Sequence, residues 1–288
     1  MKKTSKRNGK YIEIWDRFSR NKTAMAGLIV LAIIVLVAIF ADVIYDYDTD
    51  IIGQSIIDRL QPPSAEHPLG TDIYGRDILA RIVYGARMSL LIGISTVAFS
   101  LIAGGLIGAC AGFFGGRIDN ILMRLMDVLL ALPCLILAIA VVAALGASTI
   151  NLIIALGVAH VPSFARLTRV SVLSIREQEY VEASRADGAQ SLRIILQDIL
   201  PNIIGPILVQ ATLSVASLIL SAASLSFMGL GVQPPMPEWG SMLSEGRPYM
   251  RSNFNLILYP GLCVIITVLS LNLLGDGLRD ALDPRLKD

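Results

Sequence analysis

Charge is scarce in this chain. Only 16% of its 288 residues are Asp, Glu, Lys or Arg, against about 25% in a soluble domain. The 24 basic and 23 acidic residues leave a net charge of +1, so no basic field exists to draw in phosphate, and nucleic-acid binding is excluded. Cysteine is equally sparse. Cys110, Cys134 and Cys263 lie far apart in apolar stretches, which is neither a disulfide framework nor zinc-ligand spacing. With two histidines in all, no nucleophile–base constellation can be assembled, and the chain is not expected to be an enzyme by itself. What remains is apolar: 54% of the residues are hydrophobic, which excludes a disordered chain and points to lipid as the solvent.

Five runs contain no charged residue: 24–41, 88–116, 128–165, 199–237 and 252–275. A helix needs about 20 apolar residues to cross a hydrocarbon core, so the first, second and last runs each fit one span. The run 128–165 is nearly twice too long, and Gly146-Ala147-Ser148-Thr149 divides it into spans near 122–145 and 150–171. The run 199–237 holds one span near 203–224. Its far end, with Gly229, Gly231, Pro234, Pro235 and Pro237, predicts an irregular, re-entrant segment, a backbone that survives at membrane depth only under protein cover or beside a cavity. The expectation is an all-α polytopic membrane protein with six transmembrane helices. Placing both termini in the cytoplasm puts 18 basic residues inside and 6 outside, as the positive-inside rule requires. The first span is expected to be uncleaved, because its basic flank is long and no A-x-A site follows. This divides the chain into a cytoplasmic tail (1–23), a first transmembrane helix (24–45), an extracytoplasmic loop (46–87) and a five-helix core (88–288).

Within the spans, Gly104, Gly108, Gly112 and Gly116 recur every four residues. Small residues one turn apart let membrane helices approach closely, either within this chain or against a partner. Ser214, Ser217, Ser221 and Ser224 form a small polar stripe suited to packing or to lining a polar path. His160 is the only titratable side chain, cysteines aside, clearly at membrane depth, and beside Pro162 it reads as a hydrogen-bonded packing residue. Proton pumps and ion-coupled transporters carry intramembrane acids, which this sequence lacks. A free-standing channel or secondary transporter, and a membrane-embedded enzyme, are thereby the weaker readings.

The one large cytoplasmic loop, 172–201, is charged at its start, amphipathic in its middle and broken at Gly188. Two short helices meeting at Gly188 fit this pattern, and a docking surface for a cytoplasmic partner explains the investment of charge. Glu182-Ala183-Ser184 with Gly188, Leu200 and Pro201 resembles the EAA loop of bacterial ABC importer permeases. Ser184 replaces a third small residue, and Asp198 stands where the pattern has Ile. Three further segments resemble the dipeptide/oligopeptide (peptide/nickel) branch and its C-type subunit. They are 67–90, with His67-Pro68-Leu69-Gly70-Thr71-Asp72; 226–240, with Ser226-Phe227-Met228-Gly229 and Glu238-Trp239-Gly240; and 275–285.

The resemblance implies an ABC type I importer permease fold in the bacterial inner membrane and import of di- or oligopeptides, with nickel or glutathione as alternative cargo. It implies a heterodimer with a homologous permease, two cytoplasmic ATPases and an extracytoplasmic peptide-binding protein. Glu182, Ala183, Ser184, Gly188, Leu200 and Pro201 would form the ATPase-coupling loop. No cofactor is expected on this chain. The sequence has no G-x-x-x-x-G-K-[ST] phosphate loop, so ATP and magnesium are expected on the ATPases. Phe227, Met228, Gly229, Gly231 and Trp239 are candidates for a gate or cavity wall, since glycine and proline prevent regular helix there while the aromatic and Met side chains supply bulk.

Overall fold

The computed structural model describes residues 3–282. Long helices dominate it. The first, α1 (Lys3–Arg20), is followed after a single residue by α2 (Lys22–Ile39). Asn21 separates them by capping α2, its carboxamide accepting from the Ala24 N–H at 3.1 Å. After the long loop that follows α2 come α3 (Ile78–Phe114), α4 (Gly116–Leu130), α5 (Cys134–Leu145) and α6 (Thr149–Ile175). The short α7 (Glu179–Ala186) then leads to the long α8 (Ser191–Phe227), the short α9 (Trp239–Gly246) and α10 (Asn255–Leu282).

Five of these helices are long and apolar enough to cross a membrane: α2, α3, α6, α8 and α10. The expected straight span near 122–145 is instead broken. α4 and α5 meet at a bend of 87°. Pro133 lacks an N–H and its ring crowds the preceding turn, which favours a kink or break, and the helix stops there at Leu130 and restarts at Cys134. Counted as one span, this bent pair supplies a sixth crossing. α4 is amphipathic, and its Asp119 pairs with Arg169 of α6 at 2.5 and 2.6 Å.

The division at 146–149 does fall where expected, with Gly146 at φ +90° and Ser148 capping α6. The first span ends at Ile39 rather than 45, and a separate helical turn, Ala41–Ile44, follows. α3 begins ten residues before 88, because the charges on its first turns are neutralised rather than solvated. Asp77 caps α3 through the Ala80 N–H at 2.9 Å, and Arg81 inside the helix is ion-paired and buried. The expected separation of the coupling loop's second short helix from the next span is also corrected. Residues 191–227 form one continuous α8, which passes Pro201 through a π-helical stretch at Ile194–Ile199.

Packing sets the sidedness of each end. Ile78, Trp239 and Leu256 share a core cluster with Ala38. The start of α3, α9, the start of α10 and the end of α2 therefore lie at one face of the bundle. Phe113, Val172, Val181 and Ile199 cluster at the opposite face, with Phe18, Ala24 and Ala281 also gathered at the helix ends of that side. Because the bent pair intervenes, α3 and α6 run parallel, and they form the most extensive helix contact of the fold.

Candidate functional site

The candidate coupling-loop residues are held on a small core of their own. Val181, Ile194 and Ile199 are buried against Ala109, Phe113 and Val172, at the ends of α3 and α6. Arg176 donates to the Gly112 carbonyl at 3.0 Å, and the Arg185 guanidinium sits 5.2 Å from the centre of the Phe113 ring. α7 ends at Ala186 and the chain turns at Gly188, whose φ is +77°, a left-handed conformation that glycine adopts without a Cβ clash. Among the described residues a Cβ at Gly188 would meet nothing within 4 Å, so the backbone angle is what constrains this position within them.

The outer side of the loop is open. Glu182 and Ala183 are exposed and Ser184 is half-buried. Among the described residues the Glu182 carboxylate accepts no hydrogen bond, while its place in the first turn of α7 suits the helix dipole. Leu192 and Leu196 are 66% and 52% exposed, and Tyr180 of the same loop is exposed as well, its hydroxyl accepting from Asn202 at 3.3 Å. Sequence reasoning missed these three. Their signal was a large apolar residue on the solvent side of short amphipathic helices, which the motif pattern does not contain. Leu200 and Pro201 lie in the first turn of the α-helical part of α8, both exposed, with Asn202 bonded to the Asp198 carbonyl at 2.7 Å.

At the opposite face the outer loop is ordered by buried charge. Asp72 accepts from Arg76 Nε and Arg81 at 2.6 Å, and Glu245 of α9 accepts from the same two arginines at 2.7 and 2.8 Å. Both arginines are nearly inaccessible. Such a lattice adds little net stability when intact, but removing one partner strands a buried charge. Asp72 and Arg76 stand within the segment that resembles the family; nothing near Glu245 in sequence announced it. Beside this lattice, an open groove of about 430 Å³ runs between Leu60–Leu69 and Ser252–Leu256. At the tip of the loop, Ile56 and Ile57 are 92% and 90% exposed.

The candidate gate residues divide. Phe227 packs under Arg247, 5.6 Å away, while Met228 and Gly229 are exposed. Gly231 is buried against Ser226, and Val232 N–H donates to the Ser226 hydroxyl at 3.3 Å. Trp239 is 2% exposed and donates from Nε1 to the Ile82 carbonyl at 3.1 Å. Glu238, equally buried, caps α9 through Gly240 and Ser241 and accepts from Ser89 at 3.2 Å. Gly231 and Trp239 thus sit in packed interior of this chain, whereas Met228 and Gly229 are open. The segment folds back over the bundle between α8 and α9, with a cis bond at Pro234–Pro235.

Three of the four stripe glycines pack within the chain. A Cβ at Gly104 would lie 2.5 Å from the Val161 carbonyl, one at Gly108 would strike the Ala165 carbonyl, and one at Gly112 would lie 2.8 Å from Val172 Cβ. Gly116 does not belong to this set: it follows the end of α3 at φ +54° and a Cβ there meets open space. The serines of α8 mostly satisfy themselves, Ser221 and Ser224 donating to carbonyls one turn back at 2.9 and 2.8 Å. His160 lies within 3.2 Å of the Leu156 carbonyl and 3.5 Å of Cys134 Sγ, a hydrogen-bonded packing arrangement. Asp283, Pro284 and Arg285 of the C-terminal segment fall outside the described residues.

A broken-helix membrane bundle that presents a short-helix loop at one face is the fold of an ABC importer permease. The solved inward-facing MetNI methionine ABC transporter superposes with a TM-score of 0.58, covering 72% of this chain and 98% of that one at 20% identity. Residues 104–288 match the family of binding-protein-dependent transport system inner membrane components, and residues 11–63 match the N-terminal transmembrane domain of oligopeptide transport permease C. The chain belongs to this family of ABC importer permeases and is a multi-pass protein of the bacterial inner membrane. Among its relatives, the Di/tripeptide transport system permease protein DppC of Pseudomonas aeruginosa is 48% identical, over 96% of this chain and 92% of that protein. The Dipeptide transport system permease protein DppC of Alkalihalophilus pseudofirmus is also 48% identical, over 96% and 90%. The Glutathione transport system permease protein GsiD of Pectobacterium atrosepticum is 43% identical, over 96% and 91%.

Proposed function

We propose that this chain is one permease subunit of an ATP-driven importer of di- and oligopeptides. It forms the translocation path with a homologous permease, receives cargo from an extracytoplasmic binding protein and is driven by two cytoplasmic ATPases that hold the ATP and magnesium. The observation that carries the coupling part is the loop 179–199, braced from beneath by Val181, Ile194 and Ile199 and apolar on its outer side at Tyr180, Leu192 and Leu196. A rigid knob of this kind transmits a push. Closure of the ATPases moves the loop, and the loop moves α3, α6 and α8, whose ends it rests on. Both termini and this loop are then cytoplasmic, in keeping with the 18 to 6 distribution of basic residues.

On the other face, the groove beside Leu60 and Phe254 and the Ile56–Ile57 tip are the docking surface for the binding protein. Replacing both isoleucines, I56S with I57S, leaves every buried contact in place. It is expected to weaken binding-protein-stimulated ATP hydrolysis while subunit assembly is unchanged; unchanged stimulation contradicts this assignment. Cargo is tested by ATP-dependent uptake of labelled dipeptide into proteoliposomes carrying the complete complex, with glutathione and nickel as competitors. The glutathione-named relatives favour glutathione, itself a modified tripeptide, as the second cargo. Competition by nickel but not by peptides would overturn the peptide assignment.

A further inference from the structure

We propose that α1 is an interfacial helix whose Ile12–Trp15 side inserts among anionic lipids of the cytoplasmic leaflet, beside the entry of α2. The proposal rests on the sidedness given above and goes beyond the transport function. α1 is fixed in place by part of its apolar surface. Phe18 is 4% exposed, packed with Ala24 at the start of α2 and Ala281 at the end of α10, and Ile14 joins the same cluster. A Cβ at Gly277 would lie 3.1 Å from the Phe18 ring, so the helices approach closely there. The apolar surface does not stop at this contact. The rings of Trp15 and Phe18 stack with centroids 5.9 Å apart, and Trp15 carries the surface outward to 56% exposure, with Ile12, one turn earlier, at 68%. One half of a continuous apolar face is thus covered by protein, and the adjoining half is bare.

The height of that bare half is set by chain connectivity. Only Asn21 separates α1 from α2, so Trp15 lies within two turns of the point where a spanning helix enters the hydrocarbon. That is the depth at which tryptophan and basic residues concentrate. Charge selects the occupant. Residues 1–12 contain five Lys or Arg and no acid. The only acids of α1, Glu13 and Asp16, pair with Arg17 and Arg20 at 2.6 and 2.8 Å, leaving the amino-terminal half of the helix strongly positive. A basic amphipathic helix with an exposed Trp and Ile matches an anionic lipid surface. It does not match a neutral protein groove.

The test uses the two tryptophans of the chain, Trp15 and the buried Trp239. The full-length protein is placed in nanodiscs containing brominated phosphatidylglycerol or brominated phosphatidylcholine, and emission is compared with that of W15F, which keeps an aromatic ring on Phe18. The Trp15 component is expected to lose most of its intensity in brominated phosphatidylglycerol and distinctly less in brominated phosphatidylcholine. K6Q with R7Q and K10Q should erase the difference between headgroups. Equal quenching by both lipids, or Trp15 open to aqueous acrylamide and untouched by bromine, overturns the proposal. So does a Trp15 component that, in the assembled complex, is shielded from both quenchers, since a partner protein then covers it. The measurement needs no cargo. Intact quenching with no peptide uptake contradicts the transport reading alone, and normal uptake with no quenching contradicts the lipid contact alone.

Discussion

A single methyl group separates the permissive glycines of α3 from the restrictive ones. Gly108 faces the Ala165 carbonyl and Thr168, whereas a Cβ at Gly105 meets nothing. G108V is therefore expected to force α3 and α6 apart at a cost of about 1–3 kcal/mol, typical of overpacking, and to lower the thermal midpoint of the detergent-solubilised chain by several degrees. G105A should be neutral or slightly stabilising. Equal midpoints for the two variants would contradict the close parallel packing. The four-residue spacing was readable in the sequence, but its ending was not: Gly116 keeps the spacing while the helix has already stopped at Phe114. At Glu182 the expectation is modest. One exposed contact is worth about 1 kcal/mol or less, so E182A should weaken ATPase attachment measurably without abolishing uptake.

Whole elements were legible where charge marks solvent and illegible where charge is buried. The absence of charge located α2, α3, α6, α8 and α10. It misplaced the start of α3, because Arg81 and its partners hide in the protein, and it missed the break at Pro133, because a run without charge does not reveal a bend. The lattice of Arg76, Arg81, Asp72 and Glu245 ties the outer loop to α9 and carries a double-mutant prediction. R81M alone leaves two buried acids facing one arginine and is expected to destabilise by about 3–5 kcal/mol. R81M with E245Q restores neutrality around the Arg76–Asp72 pair and should recover part of that loss, read as thermal stability and as protease resistance of residues 46–77. A double variant no better than R81M would show that the four groups do not act as one network.

Across the whole molecule, the two faces of the bundle have different constructions. The face that carries the 46–77 loop is knit by buried ion pairs, and the opposite face by an apolar core under a loop that leaves Leu192 and Leu196 exposed. Motif spacing in the sequence located the loop and its turn at Gly188. It could not supply Tyr180, Leu192 and Leu196, whose exposure is set only once Val181, Ile194 and Ile199 pack against the ends of α3 and α6. The candidate gate segment was less legible still, since glycine and proline show where helix ends but not which of the following side chains are exposed, as Met228 is, or buried, as Trp239 is.

The central claim is that the loop turning at Gly188 couples this permease to its ATPases, and one comparison tests it directly. In the left-handed conformation at Gly188 a β-branched residue is strained by roughly 1–2 kcal/mol, while asparagine is tolerated; the surrounding space is open to either. The measurement is ATPase co-purification and binding-protein-stimulated ATP hydrolysis for the wild-type, G188V and G188N complexes, all inserted in the membrane at equal levels. The account predicts that G188V loses most of both signals and G188N retains them. Wild-type attachment and stimulation in G188V would contradict it.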